Sequence, residues 1–220
     1  MSPSDPLLQP TDGPGAPARG TTRRRAQTRR RMLEAALEVF ADVGFGRARI
    51  EDVAARAGFT RGAFYSNFSS LDELFLALYA ERAAHLVAAA EEGLRVAVRD
   101  LGEGADPSPA AVVEHVLAAL PADRRWFLVH SEFTAHALRH PPLAAALAQQ
   151  RRALREALLP VLALVTRRRH PDAAALERLA RAVVAVHEGM LAQELVEPGD
   201  GSLPVLHRRL VLATLAVLDD

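Results

Sequence analysis

The 220-residue chain has no cysteine and no lysine. Without cysteine there is no disulfide framework, no thiolate metal site and no cysteine nucleophile, and the chain suits a reducing compartment. Without lysine, all 27 basic side chains are arginine, which is read as GC-rich coding bias rather than mechanism. Aromatic residues make up only 5% while Ala, Leu and Val dominate, which favours packed helices over sheets. No uncharged apolar run reaches the roughly 18 residues of a membrane helix, and the N-terminus lacks the apolar core of a secretory signal. A cytoplasmic chain with no membrane partner is expected. Neither strand-like alternation nor a repeat of fixed period is present, so the expected fold is all-α.

The formal net charge is zero, but it divides unevenly along the chain. Residues 1–70 hold eleven arginines against seven acidic residues, a net of +4, and residues 71–220 carry the balancing −4. That asymmetry turns the N-terminal part toward nucleic acid. Half of the residues are hydrophobic, and the length suits one small domain followed by a medium one.

Residues 1–22 are rich in Pro, Gly, Ser and Thr without periodicity and read as a disordered arm. Six arginines follow between Arg23 and Arg31, a basic arm suited to tracking phosphates, with Arg24, Arg25 and Thr28 as candidate contacts. Met32, Leu33, Ala36, Leu37, Val39 and Phe40 recur at three- and four-residue spacing and predict a helix over 24–43, stopped by Gly44. Short helices are expected over 50–57 and 60–68. Ser70 followed by Glu73 is a capping-box pattern opening a long helix to about residue 95. After a loop over 99–109, further helices are expected over 110–120, 122–139, 143–169, 172–196 and 202–218, punctuated by prolines and a Gly-containing turn.

The stretch IEDVAARAGFTRGAFYSNF, residues 50–68, has the parts of a helix-turn-helix. Ala54 permits close approach of two short helices, Gly58 supplies a positive φ at the turn, and Thr60 can cap the second helix. Val53, Phe64 and Phe68 would pin the unit to the first helix. Arg61, Gly62, Ala63, Tyr65 and Asn67 would then face outward, a mixture of cation, small surface, phenol and amide suited to a major groove. By spacing alone, such a unit also occurs as plain structure in helical proteins.

Residues 28–80 resemble the DNA-binding region of the TetR/AcrR family of bacterial regulators, through EAALEVFADVGF, EDVAARAGFTRGAFYSNF and LDELFLALY. The resemblance covers about a quarter of the chain. It implies a three-helix DNA-binding domain over 23–70 and a helical ligand-binding and dimerisation domain over 71–220. Carried over by position, Thr60 and Tyr65 would contact phosphates, Arg61, Gly62 and Ala63 would face the major groove, and Asn67 occupies a polar contact position. Phe64 and Phe68 would be core. Two departures stand out. Leu71 replaces the lysine usual at the start of the fourth helix, and Ala48–Arg49 replaces the usual hydroxyl residue before the second, so Arg49 offers one charged contact in place of both.

Specific recognition through one short helix calls for a dimer on two half-sites, here double-stranded DNA with a palindromic operator. The last two helices are the expected homodimer face. Leu179, Val183, Val186, Met190 and Leu191 form one stripe and Leu210, Leu212, Leu215 and Leu218 a second, with burial inside the monomer as the alternative for individual residues. A small-molecule effector pocket is expected around Trp126, Phe127, His130, Phe133 and Thr134, with His187 and Glu188 as further polar groups. For Trp126, Phe127 and Phe133, ordinary core is the alternative and the more common use of such side chains. The eight histidines nominate no converging metal set, no cofactor is implied, and Ser131–Glu132 lacks the context of a hydrolytic nucleophile. The reading is a ligand-responsive transcriptional repressor rather than an enzyme. A helical small-molecule binding protein or enzyme retaining the three-helix unit as structure, and a helical interaction module, are the other classes.

Overall fold

The structure, a computed structural model, describes residues 19–100, 108–120, 122–166 and 172–217. Among them are nine α-helices and no strand: α1 (Arg19–Val43), α2 (Ile50–Arg56), α3 (Arg61–Tyr65), α4 (Leu71–Asp100), α5 (Pro109–Ala119), α6 (Arg124–Ala137), α7 (Pro141–Val165), α8 (Ala173–Val196) and α9 (Leu203–Ala216). A 3-10 turn, Phe45–Arg47, joins α1 to α2. The all-α expectation holds. Of the arm expected over 1–22, residues 1–18 lie outside the described residues, and α1 already runs from Arg19. The last helix-breaking proline before it is Pro17, so nothing in the intervening sequence stops the helix earlier.

The N-terminal helices form as the pattern dictates. Met32, Ala36, Val39 and Phe40 turn one face of α1 inward, all at most 3% exposed. Gly44 ends the helix at φ 84°, and Gly58 takes φ 74° between α2 and α3, a region costly to residues with a Cβ. Thr60 Oγ1 accepts from Ala63 N at 3.2 Å and caps α3. At the start of α4, Ser70 Oγ accepts from Glu73 N at 3.1 Å. The reciprocal arm reaches one residue further back than a capping box requires, because Glu73 Oε2 accepts from both the amide and the hydroxyl of Ser69 at 2.7 Å. Those bonds hold the Glu73 carboxyl below its ordinary range. The third helix stops at Tyr65 rather than running to residue 68, yet Phe68 remains buried.

Two hydrophobic clusters organise the molecule. The first joins α1, α2 and α3 to the front of α4, to α6 and to Leu147 on α7, so its packing crosses the boundary expected near residue 70. The second gathers the later part of α4 with α5, α7, α8 and α9. The long α4, which continues to Asp100 rather than ending near 95, belongs to both because 30 residues of helix span about 45 Å.

Where α4 crosses α5, Gly93 permits backbone contact: a Cβ there would sit 2.7 Å from Val116 Cα and 2.8 Å from Val116 N. The Gly93→Ala variant is therefore expected to lose about 1–3 kcal/mol, despite the better helix propensity of alanine. Urea denaturation of the two proteins checks this, and an unchanged or raised midpoint would show that the crossing relaxes freely.

Candidate DNA-reading helix and effector cavity

The short α3 is held from beneath by Phe64, fully buried, and by Phe68 beside it, with ring centroids 5.9 Å apart. That leaves Thr60, Arg61, Gly62 and Tyr65 exposed, with Ala63 half-buried. Arg61 is already partnered: its Nη1 lies 2.9 Å from Glu51 Oε1, and its Nη2 donates to the Tyr65 hydroxyl at 3.4 Å. The pair presents a cation and a phenol as one unit, with Glu51 as the counter-ion that an incoming phosphate or guanine edge would displace. Arg49 is exposed at the start of α2, where its backbone N–H donates to Asp52 Oδ2 at 3.2 Å. Leu71, at the departure from the lysine pattern, is half-buried against the first cluster.

The basic arm splits into two roles. Arg24 is exposed, and Arg25 Nη2 donates to Ser66 O at 3.4 Å. Thr28 is half-buried, its hydroxyl donating to Arg24 O at 3.0 Å, so that group is spent on its own helix. Arg29, not singled out by sequence, donates to Asn67 O at 2.9 Å and lies 4.1 Å over the Phe68 ring, fastening α1 to the end of α3. Asn67 also departs from its expected outward role. It is half-buried, with Nδ2 donating to Ala63 O at 2.8 Å, because α3 ends two residues earlier and its carbonyls need a donor.

Between α4, α5, α6, α7, α8 and α9 lies a cavity of about 230 Å³. Leu86, Val113, Leu158 and Val183 contribute to an apolar wall, and Tyr79, Arg82, His85, Asp123, His130, His187 and Glu188 are its polar members. Trp126 and Phe127 line it too. Phe133 and Thr134 do not. Phe133 faces the other side of α6 and stacks on Phe75 at 3.6 Å, while the Thr134 hydroxyl donates to His130 O at 2.8 Å.

The cavity's charges come in pairs. Arg82 lies 3.1 Å from Asp123, which also caps α6 by accepting from Trp126 N at 3.1 Å. Arg151 lies 3.0 Å from Glu188, with the same Nη2 3.5 Å from His130 Nε2. The Arg151–Glu188 pair was not legible, because 37 residues separate partners that meet only when α7 packs on α8. No group of three or more His, Cys, Asp or Glu among the described residues is placed to hold a metal ion, and no described helix is long and apolar enough to cross a membrane.

Burial, assisted by the Arg151 charge, lowers the His130 pKa to about 4, and burial with His207 nearby lowers that of His187 to about 4. Both rings are neutral near pH 7. In the unfolded chain each takes a proton near pH 6.5, so between about 6.5 and 4 the unfolded state binds more protons. Stability from these two groups is expected to fall as pH drops through that window and to level off below it. Urea midpoints at pH 7 and pH 5, with His130→Phe as the comparison, measure it; an equal pH loss in both proteins would remove His130 as a cause.

The second cluster also revises the dimer stripe expected on α8 and α9. Leu179, Met190 and Leu215 are buried within the chain, Val183 and Leu191 line the cavity, and Val186 and Leu212 are half-buried against the cluster. Leu210 is exposed, whereas Leu218 lies outside the described residues. A different face is left open: Ala182, Ala185, Gly189 and Val196 on α8, with Leu206, Leu210 and Ala213 on α9 and Val217 just after it.

A helix-turn-helix displaying an arginine and a phenol, built onto an all-helical body that encloses an apolar cavity, defines a DNA-binding transcriptional regulator. The sequence profile of bacterial regulatory proteins of the tetR family matches residues 32–78, and that of the BetI-type transcriptional repressor C-terminal region matches residues 109–218. The chain belongs to the TetR family, whose members are transcriptional regulators rather than enzymes. Among its relatives is the transcriptional activator FasR of Mycolicibacterium smegmatis, 37% identical over 81 residues that cover 37% of each chain. The chain thus spans little over a third of that relative's length. A TetR-family regulator from Mesorhizobium loti superposes with TM-score 0.64 at 17% identity, over 89% of this chain and 96% of that one. The multidrug binding protein EbrR, complexed with proflavin, superposes with TM-score 0.54 at 22% identity, over 85% of this chain and 99% of that one.

Proposed function

We propose that this chain is a cytoplasmic, homodimeric repressor that leaves a palindromic operator when a small hydrophobic or amphipathic molecule fills the cavity. The observation that carries the reading is the cavity itself: about 230 Å³, walled by aliphatic and aromatic side chains, with a few fixed polar groups. EbrR, similar in fold, has been solved with proflavin bound, and the C-terminal profile is that of a repressor. The small-residue stripe Ala182, Ala185 and Gly189 beside exposed Leu206, Leu210 and Val217 supports a two-fold contact between the α8–α9 pairs of two chains.

In this reading Thr60, Tyr65, Arg49, Arg24 and Arg25 hold phosphates while Arg61, Gly62 and Ala63 face base edges. The cavity occupant favours a spacing of the two α3 helices that no longer matches successive major grooves. Moving the protein from 99:1 bound to 1:99 takes a preference of about 5.5 kcal/mol. The test is a gel shift with DNA from upstream of the chain's own gene, titrated with salt. Specific retardation is expected, and Arg49→Ala should reduce the salt slope by about one for each phosphate that Arg49 neutralises. Absence of specific retardation at every moderate salt concentration would overturn the reading, and an unchanged slope would remove Arg49 from the set of phosphate-holding residues.

A further inference from the structure

Resting on α3 as the helix that reads DNA, we propose that Arg29 is a positioning residue for recognition: it sets the pose of α3 and holds no phosphate itself. The basic run would place it among the phosphate-tracking arginines. Of the six arginines between Arg23 and Arg31, however, Arg29 alone is not exposed. Its Nη1 donates to Asn67 O at 2.9 Å, and its guanidinium carbon lies 4.1 Å from the centroid of the Phe68 ring, a side chain that is itself buried. One N–H and one face of the plane are thus committed inside the protein, in the stacked arrangement that a planar cation favours over an aromatic ring.

The exit of α3 needs that grip. The helix is five residues long, too short to stand without outside partners. Phe64 O is met by Asn67 N at 2.8 Å and Phe68 N at 2.9 Å, and Ala63 O by Asn67 Nδ2 at 2.8 Å. Beyond them the chain leaves the helix, and Ser66 O and Asn67 O are met from α1, by Arg25 at 3.4 Å and Arg29 at 2.9 Å. Asn67 Oδ1 is already buried without a hydrogen-bond partner, so loss of Arg29 leaves a second acceptor of that residue unmatched. Two residues further on, Ser69 gives its amide and hydroxyl to Glu73 on α4. The Arg29 charge adds to those bonds in holding the Glu73 carboxyl below its ordinary range. The start of α1, the exit of α3 and the first turn of α4 therefore meet at one guanidinium. Phe64 and Phe68 bury the reading helix, but apolar contact has no direction. The hydrogen bond from Arg29 does, and reading base edges demands it.

The test compares two duplexes of equal length and composition: one selected by the full-length wild-type protein from a random-sequence pool, the other a scrambled version of it. Arg29→Met keeps a flexible apolar cover on Phe68 but removes the donors and the charge. Its affinity for the selected duplex is expected to fall by about tenfold or more. Affinity for the scrambled duplex, and the salt slope on both, should stay as in the wild type. A phosphate contact would instead weaken both duplexes alike and reduce the slope by about one per copy. A purely structural role would lower the melting temperature and, well below it, leave the preference between duplexes intact. Either result overturns the proposal. A second measurement needs no variant. In the wild type the guanidinium protons of Arg29 should resonate upfield, under the Phe68 ring, and stay there when the selected duplex is added; their release from the ring on binding would overturn the proposal too. Tyr65→Ala, run in parallel, separates the two readings. If it also keeps the wild-type preference, α3 does not read DNA and the role of Arg29 falls with it. If Tyr65→Ala loses the preference while Arg29→Met keeps it, only the role of Arg29 falls.

Discussion

Replacing Phe64 by alanine is expected to dismantle the DNA-reading unit, whereas replacing its neighbour Tyr65 is expected to leave the fold standing and remove DNA affinity. The two residues sit side by side on α3, their rings edge to face at 5.7 Å between centroids, but only Phe64 turns into the core. Phe64 is fully buried, in contact with Phe68 at 5.9 Å between centroids, and truncating such a ring costs about 3–5 kcal/mol because the surrounding helices collapse only partly into the space. The first cluster continues from Phe64 through Phe68 to α1 and α4, so the loss should register as a lowered midpoint in the whole N-terminal half. Tyr65 is 48% exposed, and among the described residues its hydroxyl bonds only to Arg61. Tyr65→Ala should change stability by no more than about 0.5 kcal/mol. Removing one phosphate anchor weakens each half-site about tenfold, which for two copies is on the order of a hundredfold in operator affinity. Thermal melts and gel shifts on both variants measure the contrast. If Tyr65→Ala melts as early as Phe64→Ala, or binds the operator like the wild type, α3 does not read DNA with that face.

The division between Phe64 and Tyr65 was legible in the sequence because helical periodicity and a glycine-marked turn are local signals: i, i+3 and i+4 spacing sorts a face, and Gly58 announces a positive φ. Helix-rich composition and the proline punctuation placed the C-terminal helices to within a few residues for the same reason. What spacing could not supply is which neighbour a face meets. Phe133 shares a helix with Trp126 and His130, yet α6 is wedged between the cavity and the first cluster, so its aromatic residues divide between the two. Leu179 and Met190 have the apolar character of an interface stripe, but the helix buries that face at home and leaves Ala182, Ala185 and Gly189 outside. Asn67 looked like a surface amide until α3 ended early and left carbonyls for it to bond. The Arg151–Glu188 and His187–His207 contacts have no local signature at all, since they depend on the register of α8 against α7 and α9.

Glu132 is the clearest case of a residue with no sequence signal and a large expected effect. Its Oε2 accepts from the backbone N–H of Phe45 at 2.7 Å, across 87 residues, and it lies against Gly44, where an added Cβ would be 3.0 Å from the same oxygen. Phe45 in turn plugs into Phe133 and Phe75, with centroids 5.0 and 6.0 Å away, and Phe75 stacks on Trp126 at 5.9 Å. Helix α6 thus carries cavity-lining Trp126, Phe127 and His130 on one side and a bolt into the turn before α2 on the other. A shift of α6 that accommodates a cavity occupant has to move this turn or break the bolt. Glu132→Ala leaves a partly buried N–H unpaired, at a cost of about 1–3 kcal/mol, and removes the tether between occupant and helix-turn-helix. It is expected to retain operator binding without ligand but to respond weakly to one. If coupling in the wild type amounts to about 3 kcal/mol, saturating 1-octanol lowers its operator affinity by about 150-fold, and the variant should show a drop nearer tenfold. Operator titrations of both proteins with and without the alcohol, alongside Trp126 quenching to show equal occupancy, measure this directly. Equal drops in affinity at equal occupancy would mean that the signal passes down α4 alone, through the residues it contributes to both hydrophobic clusters, and that the Glu132 bond serves only to hold the turn in place.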